Sequence, residues 1–142
     1  MKNVGAAAFI VDEEGRVLLV KHTYGHLNWE LPGGGGEVHE SPVETAIREV
    51  KEETGLTVVA QHMTGYYYTP ENEMVHFVFR CERVDGNALP YPDRAEISEC
   101  GFWSLSALPR PMSDWTLRRI QDAAAGNSFA LPTPTGPRLW LE

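Results

Sequence analysis

The chain has 142 residues, the size of one ordinary domain, of which 42% are hydrophobic and 23% charged. That is enough apolar material for a packed core, and it excludes intrinsic disorder. With 12 Lys and Arg against 20 Asp and Glu, the formal net charge is −8, which argues against a protein that coats nucleic acid or an anionic membrane with basic side chains.

The N-terminus carries one early Lys and an apolar run broken at Asp12, without the length or flanks of a signal peptide or membrane span. Ala6 to Val11 and Val17 to Val20 are short apolar runs around a Gly-containing loop, and they predict a hairpin. Tyr24 to Asn28 reads as a loop, and Gly33 to Gly36 are four glycines in succession. At Ser41 the pattern turns helical. Ser41 is a candidate N-cap, Pro42 the first helical residue and Glu44 the partner in a capping box. Val43, Ala46, Ile47 and Val50 form an apolar stripe, and Gly55 supplies the stop.

After Gly55 the period changes to that of strands. Leu56 to Met63 is one, and Val75, Phe77, Phe79 and Cys81 alternate with His76, Arg80 and Glu82 as another with one buried face. Asp85-Gly86-Asn87 is a turn, and Cys100 to Ser104 a further strand. A second helix starts near Ser113 on a stripe of Leu117, Ile120 and Ala124 and ends at Gly126. The last stretch, Asn127 to Glu142, carries Pro132, Pro134 and Pro137 and cannot be regular throughout. Its apolar Leu139-Trp140-Leu141 is expected to pack on a partner subunit or across its own domain. Strands with a central and a C-terminal helix make an α/β domain. Cys81 and Cys100 are too few for a disulfide scaffold and lack zinc spacing, so a reduced, cytoplasmic chain is expected.

The chemistry concentrates between Trp29 and Leu56. At about 100° per residue, Glu49, Glu52 and Glu53 fall on one side of the helix, away from the apolar stripe, with Arg48 and Lys51 on the opposite flank. Carboxylates three and four apart repel by about 0.2–0.5 kcal/mol per pair, and a hard cation such as Mg²⁺ or Mn²⁺ turns that repulsion into chelation. Alone, an acidic helix face is simply solvated. The glycine run shifts the balance, because four residues without side chains suggest a close approach of backbone to ligand. No Lys-Ser or Lys-Thr follows the run, which excludes a P-loop.

Gly34, Glu40, Arg48-Glu49-Val50, Glu52-Glu53 and Gly55-Leu56 resemble the signature box of the Nudix hydrolases, G-x5-E-x7-R-E-U-x-E-E-x-G-U with U a bulky aliphatic, at every fixed position. Trp29 to Gly33 before it is also typical of that family. The resemblance implies an α/β/α sandwich with a mixed sheet and the box as a loop–helix–loop, with residues 1–126 as the domain and 127–142 as a Pro-rich tail. It implies hydrolysis of the diphosphate bond in a nucleoside diphosphate linked to another moiety, of nucleoside triphosphate, ADP-ribose or nucleotide-sugar type, by water attack at phosphorus. Glu49, Glu52 and Glu53 become ligands of Mg²⁺ or Mn²⁺, joined by the Gly33 carbonyl. Arg48 orients them, and Gly34 and Glu40 support the box. The general base varies in the family, leaving Glu49, Glu96 and Glu99 as candidates.

Tyr24, Trp29, Tyr66 and Tyr68 are candidates for stacking on the substrate. Pro70 stands close to, without matching, a proline position of some ADP-ribose-cleaving members. The expected partner is a small nucleotide, with no nucleic-acid polymer and no membrane, and a homodimer is the expected assembly. The alternative is a catalytically silent Nudix-fold module that binds nucleotides or regulates a partner, which the complete glutamate set disfavours. Two departures stand out: His39 precedes Glu40 where Gly is commonest, and Gly36 is an extra glycine.

Overall fold

A computed structural model describes residues 2–142. Its strands are β1 (Val4–Phe9), β2 (Val17–His22), β3 (Trp29–Glu30), β4 (Gly33–Gly35), β5 (Val58–Thr69), β6 (Met74–Arg83) and β7 (Ile97–Trp103), with helices α1 (Pro42–Thr54) and α2 (Asp114–Ala124). They form a mixed four-stranded sheet in the order β4-β1-β6-β5 and an antiparallel three-stranded sheet in the order β3-β2-β7. Among the described residues the one parallel pairing joins β1 to β6, from Val4 opposite Val75 to Phe9 opposite Arg80.

The strand β1 is apolar on both faces because it divides two cores. Ala6, Ala8 and Ile10 pack with Ala46 and Val50 of α1 and with Phe79 and Cys81 of β6. Ala7 and Phe9 pack the other way, with Val17, Leu19, Trp29 and Ile120 of α2. The two helices thus lie on opposite sides of the sheets, giving the α/β/α layering expected from the resemblance.

Three expectations change in the structure. The first two runs pair only where they meet, through a bridge between Val11 and Val17 and a Leu18 N–H to Ile10 carbonyl bond of 2.9 Å. They then diverge into different sheets, since β1 must reach β4 and β6 while β2 reaches β3 and β7. β6 is buried on both faces, Val78 on one and Phe79 on the other, so it is a central strand and not a half-exposed one. In α2 the buried residues are Thr116, Ile120 and Ala123, while Leu117 is exposed. Ile120 faces inward as expected, while Thr116 and Ala123 replace Leu117 and Ala124, and Thr116 satisfies its hydroxyl internally by donating to Glu30 Oε1 at 3.3 Å.

Helix α1 forms as its sequence dictates. Ser41 accepts from the Glu44 N–H at 3.1 Å while Glu44 Oε1 accepts from the Ser41 N–H at 2.9 Å. Gly55 ends the helix at φ 75°, a left-handed conformation that glycine adopts without Cβ strain. The tail after Asn127 has one bridge, Met63 to Phe129, and Leu131 packs on the core. Leu139, Trp140 and Leu141 are exposed, so they do not pack across their own domain.

Candidate active site

Strand β4 is the edge strand beside β1 and delivers its glycines to the acidic face of α1. A Cβ on Gly34 would lie 2.8 Å from the Glu49 carboxyl carbon, and one on Gly33 would lie 2.4 Å from the Ala6 carbonyl oxygen. The absent side chains are what let strand and helix touch. Gly33, expected to offer its carbonyl, meets the cluster through its N–H, which donates to Glu53 Oε1 at 2.9 Å.

Arg48 lies among the glutamates and not on the flank where a helical wheel puts its Cβ. Its long side chain turns back across the face to donate to Glu40 Oε2 at 2.6 Å, Glu49 Oε1 at 2.8 Å, Glu52 Oε2 at 3.2 Å and the Gly35 carbonyl at 3.0 Å. One guanidinium therefore ties four groups. The bond from Arg48, helped by the Thr45 hydroxyl at 2.6 Å, holds the Glu40 carboxyl down to about 2. His39, just before it, sits at φ 67°. The glycine commonly found at that position would adopt this conformation freely, and a side chain there costs about 1 kcal/mol.

Two further box carboxyls, those of Glu49 and Glu53, move the opposite way. Burial raises Glu49 against the pull of Arg48. Glu53, only 4% exposed, is pushed up to about 8 by burial and by the charges of Glu49, Asp93 and Glu96. Glu52 is largely exposed. Among the described residues, no three His, Cys, Asp or Glu side chains converge as they stand on a point that could hold a metal ion. The donor set nonetheless fits a hard divalent cation, because it is oxygen-only and carries crowded negative charge that a cation relieves.

Glu96 and Glu99 separate. The Glu96 carbonyl accepts from the Thr23 N–H at 2.8 Å, and the Glu96 charge reaches both Glu49 and Glu53. Glu99 is exposed and faces Lys21 at 3.7 Å.

Beside Gly33 and Gly34 opens a cleft of about 290 Å³ lined by Tyr24, His22, Glu30, His76 and, from α2, Trp115 and Arg119. Tyr24 stacks on His22 with centroids 4.6 Å apart and stands at its mouth, 53% exposed. Trp29 is corrected by the structure. It is 5% exposed and packs edge-on against Trp103 at 5.2 Å, a core residue because its neighbours in β2 and α2 enclose it. Tyr66 and Tyr68 are exposed and line a second cavity, of about 560 Å³, with Trp115 and Arg119. The reading from sequence missed Arg119, Glu30 and His76 as cleft residues: Arg119 and His76 belong to no motif, Glu30 carries no fixed box position, and the fold alone brings them together.

His76 gives the cleft a measurable signature. Burial and the Arg119 charge lower it to about 4, so between that value and 6.5 the unfolded chain binds a proton the folded chain refuses. Stability from this residue is present above pH 6.5 and is lost as pH falls toward 4. Relative to His76→Gln, wild type is expected to lose about 3 kcal/mol of stability between pH 7 and pH 4, read by urea unfolding.

Comparisons with known proteins point to one family. The NUDIX domain model matches residues 1–123. A Bacillus subtilis protein named provisionally as an 8-oxo-dGTP diphosphatase is 32% identical, over 89% of this chain and 83% of its own length. An ADP-ribose pyrophosphatase of Methanocaldococcus jannaschii is 32% identical, over 71% of this chain and 62% of its own. The matched curated relatives are covered over between 42% and 83% of their length. The crystal structure of an ADP-ribose pyrophosphatase from Streptococcus suis superposes with a TM-score of 0.73 at 28% identity, covering 87% of this chain and 90% of the other.

Proposed function

The chain belongs to the NUDIX family of pyrophosphohydrolases, and on that footing we propose that it hydrolyses the diphosphate bond of a nucleoside diphosphate derivative by water attack at phosphorus, with Mg²⁺ or Mn²⁺. The observation that carries this is the cluster of Glu49, Glu52 and Glu53 braced by Arg48 and by the Gly33 N–H. A divalent cation at this site supplies charge neutralisation of the phosphates and a more acidic water. Glu49, Glu52 and Glu53 would hold it.

The chain's own groups do the rest. Gly33 fixes Glu53 from the strand side, and Glu40 fixes Arg48 from the loop side, so the carboxylates are oriented before substrate arrives. Of the base candidates, Glu49 and Glu96 stand near the cluster, and each can accept the proton of the attacking water. Glu99, paired with Lys21, is the weaker candidate. Tyr24 at the cleft mouth offers a stacking surface, with Tyr66 and Tyr68 further along. No helix among the described residues is long and apolar enough to cross a membrane, and a cytoplasmic enzyme acting on small nucleotides, with no nucleic-acid polymer as partner, fits the acidic composition. The exposed Leu139-Trp140-Leu141 is compatible with a homodimer, and residues 127–142 are read as a tail whose first residues dock on the domain through Phe129 and Leu131.

Two of the relatives are named for ADP-ribose and for an oxidised purine nucleoside triphosphate, and both classes are candidates beside nucleotide sugars. Incubation with nucleoside triphosphates, 8-oxo-dGTP, ADP-ribose and nucleotide sugars is expected to release a nucleoside monophosphate from at least one of them with Mg²⁺ or Mn²⁺, and none after chelation by EDTA. Binding of the same compounds without turnover would favour the silent-module alternative.

A further inference from the structure

Arg119 stands apart from the other cations of this chain. Its Nε is buried with no hydrogen-bond partner, a condition that native folds leave standing only rarely. The guanidinium lies over the Tyr67 ring, 5.2 Å from its centroid. That ring is itself fixed, because the Tyr67 hydroxyl donates to Asp122 Oδ2 at 2.7 Å and Asp122 is engaged in turn by Arg118 at 3.1 Å. The adjacent arginine thus takes the nearby carboxylate, and Arg119 is held in place by stacking and left with donor capacity.

Its position gives that capacity a use. Among the described residues, Arg119 is the sole Lys or Arg lining the cleft beside Gly33 and Gly34. It also lines the larger cavity next to it, sharing that wall with Trp115 and Thr69. The larger cavity has no residue of β4 or α1, so Arg119 stands where a substrate leaves the acidic cluster. On Arg119 the Nε–H has no protein partner, and Nε–H with a terminal N–H is the edge of a guanidinium that takes two phosphate oxygens at once. We propose that Arg119 grips a phosphate of the substrate other than the one attacked beside the glutamates, and so selects substrates that carry such a phosphate.

The inference rests on the pyrophosphohydrolase reading for its substrate but uses a contact that needs no metal. Two sources share the required chemistry, a further phosphate on the 5′ chain and a phosphate monoester elsewhere on the ribose. Equilibrium binding in EDTA compares ADP with AMP, and ATP with ADP, for the first, and adenosine 3′,5′-bisphosphate with AMP for the second, with the matching guanine nucleotides alongside. In wild type the extra phosphate of one pair is expected to lower Kd by at least about tenfold. Arg119→Met removes that difference, and Arg119→Lys, which keeps the stem and charge but not the fork, retains part of it. The proposal is overturned if no pair differs in wild type, or if the Met variant, folded by its thermal transition, keeps the preference. Turnover with no binding difference sinks this proposal alone; a phosphate preference lost in Arg119→Met without any turnover sinks the hydrolase reading alone.

Discussion

Glu52→Gln is expected to lower kcat by at least about 100-fold while leaving the fold unchanged. The substitution keeps the shape and removes one charge from the cluster of Glu49, Glu52 and Glu53, where losing a single preorganised electrostatic group commonly costs two to three orders of magnitude. Its stability effect is small because the Glu52 side chain is 55% exposed and its pair with Arg48 is a surface i, i+4 contact at 3.2 Å. Such a pair contributes about 0.3–0.5 kcal/mol. Single-turnover rates with saturating Mn²⁺, beside a thermal transition, separate the two effects. A variant with near-wild-type kcat removes Glu52 from the ligand set.

The three glycines of β4 are expected to answer differently to alanine. At Gly33 the new Cβ meets backbone, 2.4 Å from the Ala6 carbonyl oxygen and 2.6 Å from the Ala7 Cα. Neither can move without separating β4 from β1, so Gly33→Ala is expected to cost about 3 kcal/mol, a Tm lower by roughly 6–12 °C. At Gly34 the new Cβ meets the end of the Glu49 side chain at 2.8 Å, which can swing aside. Gly34→Ala therefore spares the Tm and reduces kcat, by roughly tenfold or more if Glu49 acts as assigned. Gly35 has nothing within 4 Å of its missing Cβ, and its alanine variant serves as the control, within about 0.5 kcal/mol of wild type. Equal losses at all three positions would show that the strand needs flexibility and not clearance.

The helix and the glutamates were legible because their signals are local. Ser41, Pro42, Glu44 and Gly55 act within a few residues of themselves, and each adopts the role its chemistry predicts. Sheet membership is not local. The runs from Ala6 and Val17 read as partners because hydrophobic patterning reports that a segment is a strand but not which strand it joins. Trp29 shows the same limit, since an aromatic beside a motif reads alike whether it faces a ligand or, as here, Trp103. The inward face of α2 was misplaced because Thr116 is polar, and its burial depends on Glu30 lying 86 positions away in the chain. Arg119 was invisible for the opposite reason. An arginine on a polar helix looks solvated until the fold sets Tyr67 beneath it.

The parallel pairing of β1 with β6 also sets the order in which this protein can assemble. Val4 cannot meet Val75 until about seventy intervening residues have been gathered in, and such long closures are slow relative to helix formation. All of α1 lies inside that span, so during synthesis the helix and its capping box can form early, before β4 has a strand to lean on. Gly33 is brought beside Glu53 by β4, whose partner is β1, and β1 is seated only once β6 exists. The signature segment is therefore not an autonomous module. A chain ending at residue 72 keeps every residue of the box, but with β6 missing it is expected to show no cooperative thermal transition and no turnover.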